Sequence, residues 1–139
     1  MINWAVNNLM VRPISGWGGS KTDSQEHSEN SGLVSGVIVL STFPSEDLAK
    51  KVAQGLLERK LCACVNIMKV SSMYSWKGKI EDEQEFLCFF KTTTIKLRQL
   101  KEEIRKVHPY EVPEIVELEM KSASSDYLSW MVDATLSSP

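Results

Sequence analysis

Residues 61–94, LCACVNIMKVSSMYSWKGKIEDEQEFLCFFKTTT, decide the fold of this chain because they predict one long β-hairpin. The first part reads as a long strand over 61–76, and EFLCFFKTTT reads as a second strand over 85–94. Lys77 and Gly78 lie between the two and suit a tight turn. The other elements are predicted by working outward from this hairpin.

Before the hairpin, the sequence predicts one buried strand and one helix. VIVLST at 37–42 is a continuous apolar run rich in β-branched residues, which is typical of a strand buried on both faces. FPSEDLAKKVAQGLLERK at 43–60 has apolar residues at helical spacing, and Ser45 is placed to cap its first turn. We therefore expect a β-α unit ahead of residue 61.

After the hairpin, the sequence predicts a helix, a strand and a last short helix. TIKLRQLKEEIRKV at 94–107 has helical periodicity, with Thr93 or Thr94 as the expected cap. EIVELEM at 114–120 alternates apolar and acidic residues, as in a strand with one wet face. SSDYLSWMVDATL at 124–136 predicts the short C-terminal helix, with Ser124 or Ser125 as its cap.

The predicted order, β-α-β-β-α-β plus a C-terminal helix, is that of a ferredoxin-like split βαβ fold. Such an α+β fold has a four-stranded antiparallel sheet with two helices on one face. Residues 1–35 are rich in Gly, Ser, Asn and charged residues, so we predict a flexible N-terminal tail at 1–35 and one domain at 36–139.

Composition narrows the function class. The net charge of −2 disfavours nucleic-acid binding, and the chain has no apolar run long enough for a membrane span. The N-terminus lacks the basic start and clean apolar stretch of a secretory signal. The odd number of cysteines, three, then favours reduced thiols in an intracellular, cytoplasmic compartment.

The three cysteines are candidate ligands for a soft metal. Cys62 and Cys64 form a C-x-C pair, and on a strand both thiols would point to one face. A two-residue loop at 77–78 places Cys64 opposite Lys91, and Cys88 then faces the other side of the sheet. The sequence therefore disfavours a three-cysteine site, and small buried hydrophobes are the simpler interpretation.

The connection HPYEVPEI at 108–115 holds one of the two histidines. His108 follows a helix that ends in basic residues, where it can act as a cap and interact favourably with the helix dipole. Pro109 stops that helix. It can also act as a metal ligand or an acid/base group.

The acidic run at 81–85 reads as a solvated face rather than a cation site. Tyr74 and Trp76 cluster at the hairpin tip and suggest a partner surface.

Five short motifs together resemble the CutA family of divalent-cation tolerance proteins. They are CACVN at 62–66, YSWKGK at 74–79, Lys91-Thr92, HPYEVPEI at 108–115 and YLSW at 127–130. The resemblance covers residues 36 to 135. It implies a ferredoxin-like homotrimer, tolerance to divalent metals with copper binding, no established enzymatic activity, and in animals a link to acetylcholinesterase processing or anchoring.

The resemblance also implies site residues. Cys64 and His108 match family positions that make them the predicted metal ligands for copper or another divalent cation, with no organic cofactor. The predicted intersubunit cleft contains five residues: Tyr74, Trp76, Lys91, Tyr110 and Glu111. The chain departs from the family pattern at Ser41, where some bacterial members carry cysteine, and Cys62 is an addition.

Three hypotheses follow from these patterns. The leading one is a non-enzymatic homotrimer that binds copper or other divalent ions through His108 and the Cys64 region. The second is a signalling or scaffold trimer with a small anionic ligand in the intersubunit cleft, near Lys91. The third is a small enzyme that uses Cys64 or His108, and it ranks last because no catalytic motif is present.

Overall fold

The computed structural model describes residues 34–136, and the predicted tail lies almost entirely outside this range. Seven elements follow in the predicted order. They are β1 Gly36–Phe43, α1 Glu46–Glu58, β2 Cys64–Trp76, β3 Lys79–Thr93, α2 Leu97–Val107, β4 Val116–Glu119 and α3 Ser125–Leu136. The strands form one antiparallel sheet of order β2-β3-β1-β4. The predicted α+β architecture is confirmed for the single chain.

The hairpin register is the one that a two-residue loop requires. Trp76 pairs with Lys79, Cys64 with Lys91 and Ile67 with Cys88. Lys77 and Gly78 both have positive φ, 47° and 78°, as in a tight hairpin turn that matches the strand twist. β3 begins at Lys79 rather than at residue 85, so the hairpin is longer than predicted.

The core lies between one face of the sheet and helices α1 and α2. β1 and β3 contribute alternate residues such as Val39, Phe43 and Phe90, each with no exposed area. α1 begins as predicted, since the Ser45 hydroxyl accepts a hydrogen bond from the Leu48 amide at 3.2 Å. Apolar residues of both helices, Leu56 and Ile104 among them, close this core.

The predicted threonine cap of α2 is wrong. The helix begins after Lys96, which makes no side-chain capping bond. Thr93 instead belongs to β3, where it pairs with Gly36, and Thr94 accepts a hydrogen bond from the Ser35 amide. Both threonines therefore make contacts with the start of the domain, at Gly36 and Ser35, and neither caps α2. The predicted serine cap of α3 is confirmed at Ser124, whose hydroxyl accepts from the Tyr127 amide at 3.4 Å.

The second face of the sheet is apolar and only partly covered. α3 packs against β3, and Lys91, which neighbours the core residue Phe90, reaches the Tyr127 ring of α3. Because successive side chains of a strand point to opposite faces, the residues that alternate with the core positions lie on the same face as Lys91. We call it the open face, and its apolar side chains are Ile38, Leu40, Met68, Leu87, Phe89, Val116 and Leu118. Leu118 remains 45% exposed and Met68 52% exposed.

The outer part of the hairpin projects beyond the rest of the sheet. β1 pairs with β3 only at residues 86–93, so residues 79–85 of β3 pair with β2 alone. We call residues 70–85 the hairpin arm. Met73 and Ile80 on this arm are each 69% exposed. A two-stranded hairpin is only marginally stable by itself in water.

Candidate functional site

His108 follows the last residue of α2 and turns its ring into the protein. Its Nε2 donates to the Thr42 carbonyl at 2.9 Å, and its Nδ1 accepts from the Tyr110 amide at 3.2 Å. The ring stacks on Phe43 with 4.5 Å between centroids. Burial lowers the pKa of His108, although the Thr42 carbonyl and the Glu85 charge oppose that shift. A neutral imidazole with both nitrogens bonded holds the chain where α2 ends.

Glu85 is the centre of a buried polar cluster at the base of the hairpin arm. Only 1% of it is exposed, and its Oε2 accepts from the Tyr110 hydroxyl at 3.0 Å. Our interpretation of the acidic run as a solvated face is therefore wrong at this residue. The sequence offered no signal for this, because Tyr110 reaches Glu85 only through the fold.

Tyr74 and Glu114 border the same cluster. The pKa of Glu114 is raised, first by burial and then by the Glu85 charge, while a hydrogen bond to Thr42 opposes the shift. Burial and the carboxylates of Glu83 and Glu81 raise the pKa of Tyr74 to about 12. The pKa of Tyr110 is raised too, by burial first and then by its hydrogen bond to Glu85. The cluster thus holds protonated phenols beside carboxyl groups.

The cysteines do not form one site. Cys62 precedes β2 and lies in the core with Cys88, so the prediction that Cys62 shares a face with Cys64 is wrong. Burial raises the pKa of both core thiols to about 12, which keeps them protonated. Cys64 is half-buried opposite Lys91 on the open face, and its thiol contacts the Asn66 side-chain oxygen at 4.0 Å. The prediction that Cys88 faces away from Cys64 is confirmed.

The two predicted metal ligands are not brought together within the chain. Cys64 pairs with Lys91, whereas His108 bonds Thr42, which pairs with Leu87. Four residues along a strand separate these positions by about 13 Å, far beyond a metal–ligand bond. Among residues 34–136, no group of three His, Cys, Asp or Glu side chains could hold a metal ion. The predicted pair therefore does not fit a copper centre in one subunit.

The remaining predicted cleft residues lie at separate places. Lys91 Nζ lies 6.0 Å from the centre of the Tyr127 ring, and the Lys77 amine lies 5.5 Å from the Trp76 ring at the tip of the arm. Glu111 is exposed. Of the predicted cleft residues, Tyr74 and Tyr110 both lie close enough to Glu85 for its charge to raise their pKa values.

Taken as a class, a sheet of order β2-β3-β1-β4 with two helices on one face defines a ferredoxin-like α+β protein. A family model described as "CutA1 divalent ion tolerance protein" matches residues 37–134. The chain therefore belongs to the CutA1 divalent ion tolerance family. No described helix is long and apolar enough to cross a membrane.

Individual relatives agree with this assignment. The chain is 41% identical over 100 residues to the divalent-cation tolerance protein CutA of Thermotoga maritima, covering 72% of this chain and 99% of that one. Its identity to the protein of the same name from Thermus thermophilus is 43% over 99 residues, covering 70% and 96%. The crystal structure of CutA1 from Pyrococcus horikoshii superposes with a TM-score of 0.70 at 37% identity, covering 73% and 99%.

Proposed function

We propose that this chain is a non-enzymatic homotrimer that acts in tolerance to divalent cations. The observation that carries the proposal is the open face, where the rest of the described chain covers the apolar side chains only in part. Exposed apolar patches of this kind mark association surfaces. The hairpin arm supports the same conclusion, because its exposed Met73 and Ile80 need a neighbour.

The ligands for copper or another divalent cation come from more than one subunit in this proposal. The partly exposed carboxyl groups of Glu83 and Glu114 suit hard cations, and the Cys64 thiol suits Cu(I). One described chain does not complete a ligand set from them. The non-enzymatic assignment has support from His108, because both of its nitrogens are bonded and neither is free to activate a nucleophile.

Native mass spectrometry of the protein, alone and with Cu(II), Cu(I) or Zn(II), tests both statements. We expect a trimer that takes up a fixed number of ions. Leu118→Glu, which places a charge on the open face, should give monomers without ion uptake. Glu117→Gln, on the neighbouring residue that faces α2, is the control and should stay trimeric. A wild-type monomer would contradict the trimer, and uptake by the Leu118→Glu monomer would contradict the shared site.

A second candidate function is a signalling or scaffold trimer that binds a small anion between subunits. Lys91 favours it: this half-buried amine lies beside the Tyr127 ring and forms no salt bridge with another described residue. A thermal-shift screen of anionic metabolites tests it. A ligand that stabilises the wild type but not Lys91→Met would support this function, and stabilisation by metals alone would oppose it.

An acetylcholinesterase-related partner is the most distant of these proposals, because its only support is the family resemblance. Co-purification of that enzyme with the wild-type trimer would support it. Equal recovery with the Thermotoga maritima relative would show that the contact is not specific.

A further inference from the structure

A groove runs along one face of α1, beside the core residues Val52 and Leu56, and reaches Val107 at the end of α2. Its volume is about 340 Å³, within the range of small-molecule pockets. Apolar side chains form most of its surface: Leu48, Val52, Leu56 and Val107. Val52 and Leu56 are buried in the core below, whereas Val107 is 48% exposed at one wall. The groove therefore has an apolar floor that is continuous with the core.

Gly55 lies in this groove, and no contact with another residue of the described range 34–136 requires a glycine there. It is in the interior of the 13-residue helix α1, where glycine costs stability relative to alanine. It has no positive φ, and a Cβ built on it would meet nothing within 4 Å. The missing side chain leaves free space above the helix backbone, which permits close approach by something outside the chain.

Two cations border the apolar floor. Arg59 is held in place by Glu103, whose Oε2 accepts from Nη1 at 2.7 Å, and Lys106 contacts the other oxygen of Glu103 at 3.0 Å. Lys51 forms no salt bridge with any other described residue. Lys51 and Arg59 thus put two positive charges at the rim against the one carboxylate of Glu103, and the rim favours an anion.

We propose that this groove binds a small amphipathic anion, with its apolar chain over Gly55 and its anionic head beside Lys51 and Arg59. An apolar floor beside a cationic rim suits an alkyl carboxylate, whose chain is apolar and whose head is anionic. The groove lies on the helical side of the sheet, opposite the open face. The homotrimer proposed above therefore leaves it accessible.

Decanoate, kept below its micelle-forming concentration, is a suitable probe, and decyltrimethylammonium is its matched cation. In amide NMR titrations of the wild-type protein, decanoate should shift the signals of Gly55 and Val107, and the cationic probe should not. Gly55→Trp fills the groove and should weaken decanoate binding by at least about tenfold. Lys51→Gln should weaken it roughly fivefold, as for one partly exposed charge.

Lys50→Gln is the control, since Lys50 pairs with Glu46 and does not line the groove. Circular dichroism checks that Gly55→Trp is folded, and the wild-type titration tests the site even if it is not. Shifts confined to other residues, or equal affinity of the two lysine variants, would overturn the proposal. So would binding of an acidic helical peptide by a groove that ignores decanoate. Native mass spectrometry of the same samples reports the oligomeric state separately.

Discussion

The two halves of β3 belong to one continuous strand but have different composition and different surroundings. Residues 86–93 pair with β1, residues 86–91 of them also pair with β2, and Cys88 and Phe90 have no exposed area. Residues 79–85 pair with β2 alone, and Ile80 is 69% exposed. The polar outer half is therefore paired on one side only, whereas the apolar inner half also meets β1 and the helices.

The comparison shows which part of the protein is complete within one chain. Helices α1 and α2 cover one face of the inner half, so its core side chains contribute burial energy within the single chain. The outer half belongs to the hairpin arm, and a two-stranded hairpin is only marginally stable by itself. At the boundary between the halves lies Glu85, the one residue of the acidic run that the chain itself buries.

Truncation of core and arm residues should give the largest contrast. Phe90→Ala should lower the free energy of unfolding by about 3–5 kcal/mol, because it removes a fully buried ring. Ile80→Ala should cost less than about 1 kcal/mol when the protein is dilute and dissociated. Urea denaturation at several protein concentrations measures both. A cost for Ile80→Ala that does not grow with concentration would contradict coverage of the arm by a second subunit.

At the boundary, Tyr110→Phe should lower the free energy of unfolding by about 1–3 kcal/mol. The substitution removes the hydroxyl that donates to the buried Glu85 carboxylate and leaves that group unsatisfied. Tyr127→Phe is the control, because the described contacts of Tyr127 involve its ring, which the substitution keeps. Equal effects in the two variants, measured by urea denaturation, would mean that the Glu85 bond adds nothing to the boundary.

The pH dependence of stability should report His108 at the same boundary. Above the ordinary histidine pKa of 6.5, the imidazole is neutral in folded and unfolded chains, and its stabilising contribution is complete. As the pH falls below 6.5, His108 is protonated in the unfolded chain but stays neutral in the folded chain, because burial lowers its pKa there. Stability is therefore lost, by at most about 1.4 kcal/mol per pH unit.

Denaturation of the wild type and His108→Gln at pH 7.5 and pH 5 measures this contribution. The variant should lose less stability on acidification than the wild type. His27→Gln, at the other histidine, is the control and should keep the wild-type dependence. An unchanged dependence in His108→Gln would show that the buried ring does not sense pH.

Two glycine substitutions should give the smallest effects, of opposite sign in the two regions. Gly55→Ala should raise the free energy of unfolding by about 0.5–1 kcal/mol, since the helix interior has free space for a methyl group. Gly78→Ala at the tip of the arm should lower it by about 1 kcal/mol, because its φ of +78° strains any side chain. Thermal denaturation of both variants checks the signs. A destabilising Gly55→Ala would contradict the free space that we describe above α1.

The sequence predicts well where local chemistry decides. Residues 77–78 specify a tight turn, and the turn then sets every strand pair down to Cys64 and Lys91. Ser45 caps α1 because its partner amide is three residues away. Thr93 does not cap α2 because it pairs with Gly36 of β1, more than fifty residues away in the sequence. Thr94 instead bonds the Ser35 amide.

The candidate site is harder to predict because its members are distant in sequence. HPYEVPEI identifies His108 and Tyr110, but the Thr42 carbonyl and the Glu85 carboxylate that bind them come from β1 and β3. Cys62 and Cys64 look equivalent in the sequence, yet β2 begins only at Cys64 and leaves Cys62 in the core. Patterns of two or four residues do not contain this information.

By itself, the sequence determined the order of the elements, the hairpin register and the family to which the chain belongs. All three depend on spacing between nearby residues or on short ordered motifs. The tertiary structure alone decided that Glu85 is buried, that both nitrogens of His108 are bonded and that the open face lacks a full cover. These features arise where distant segments meet, because burial and hydrogen bonding are properties of neighbours in space.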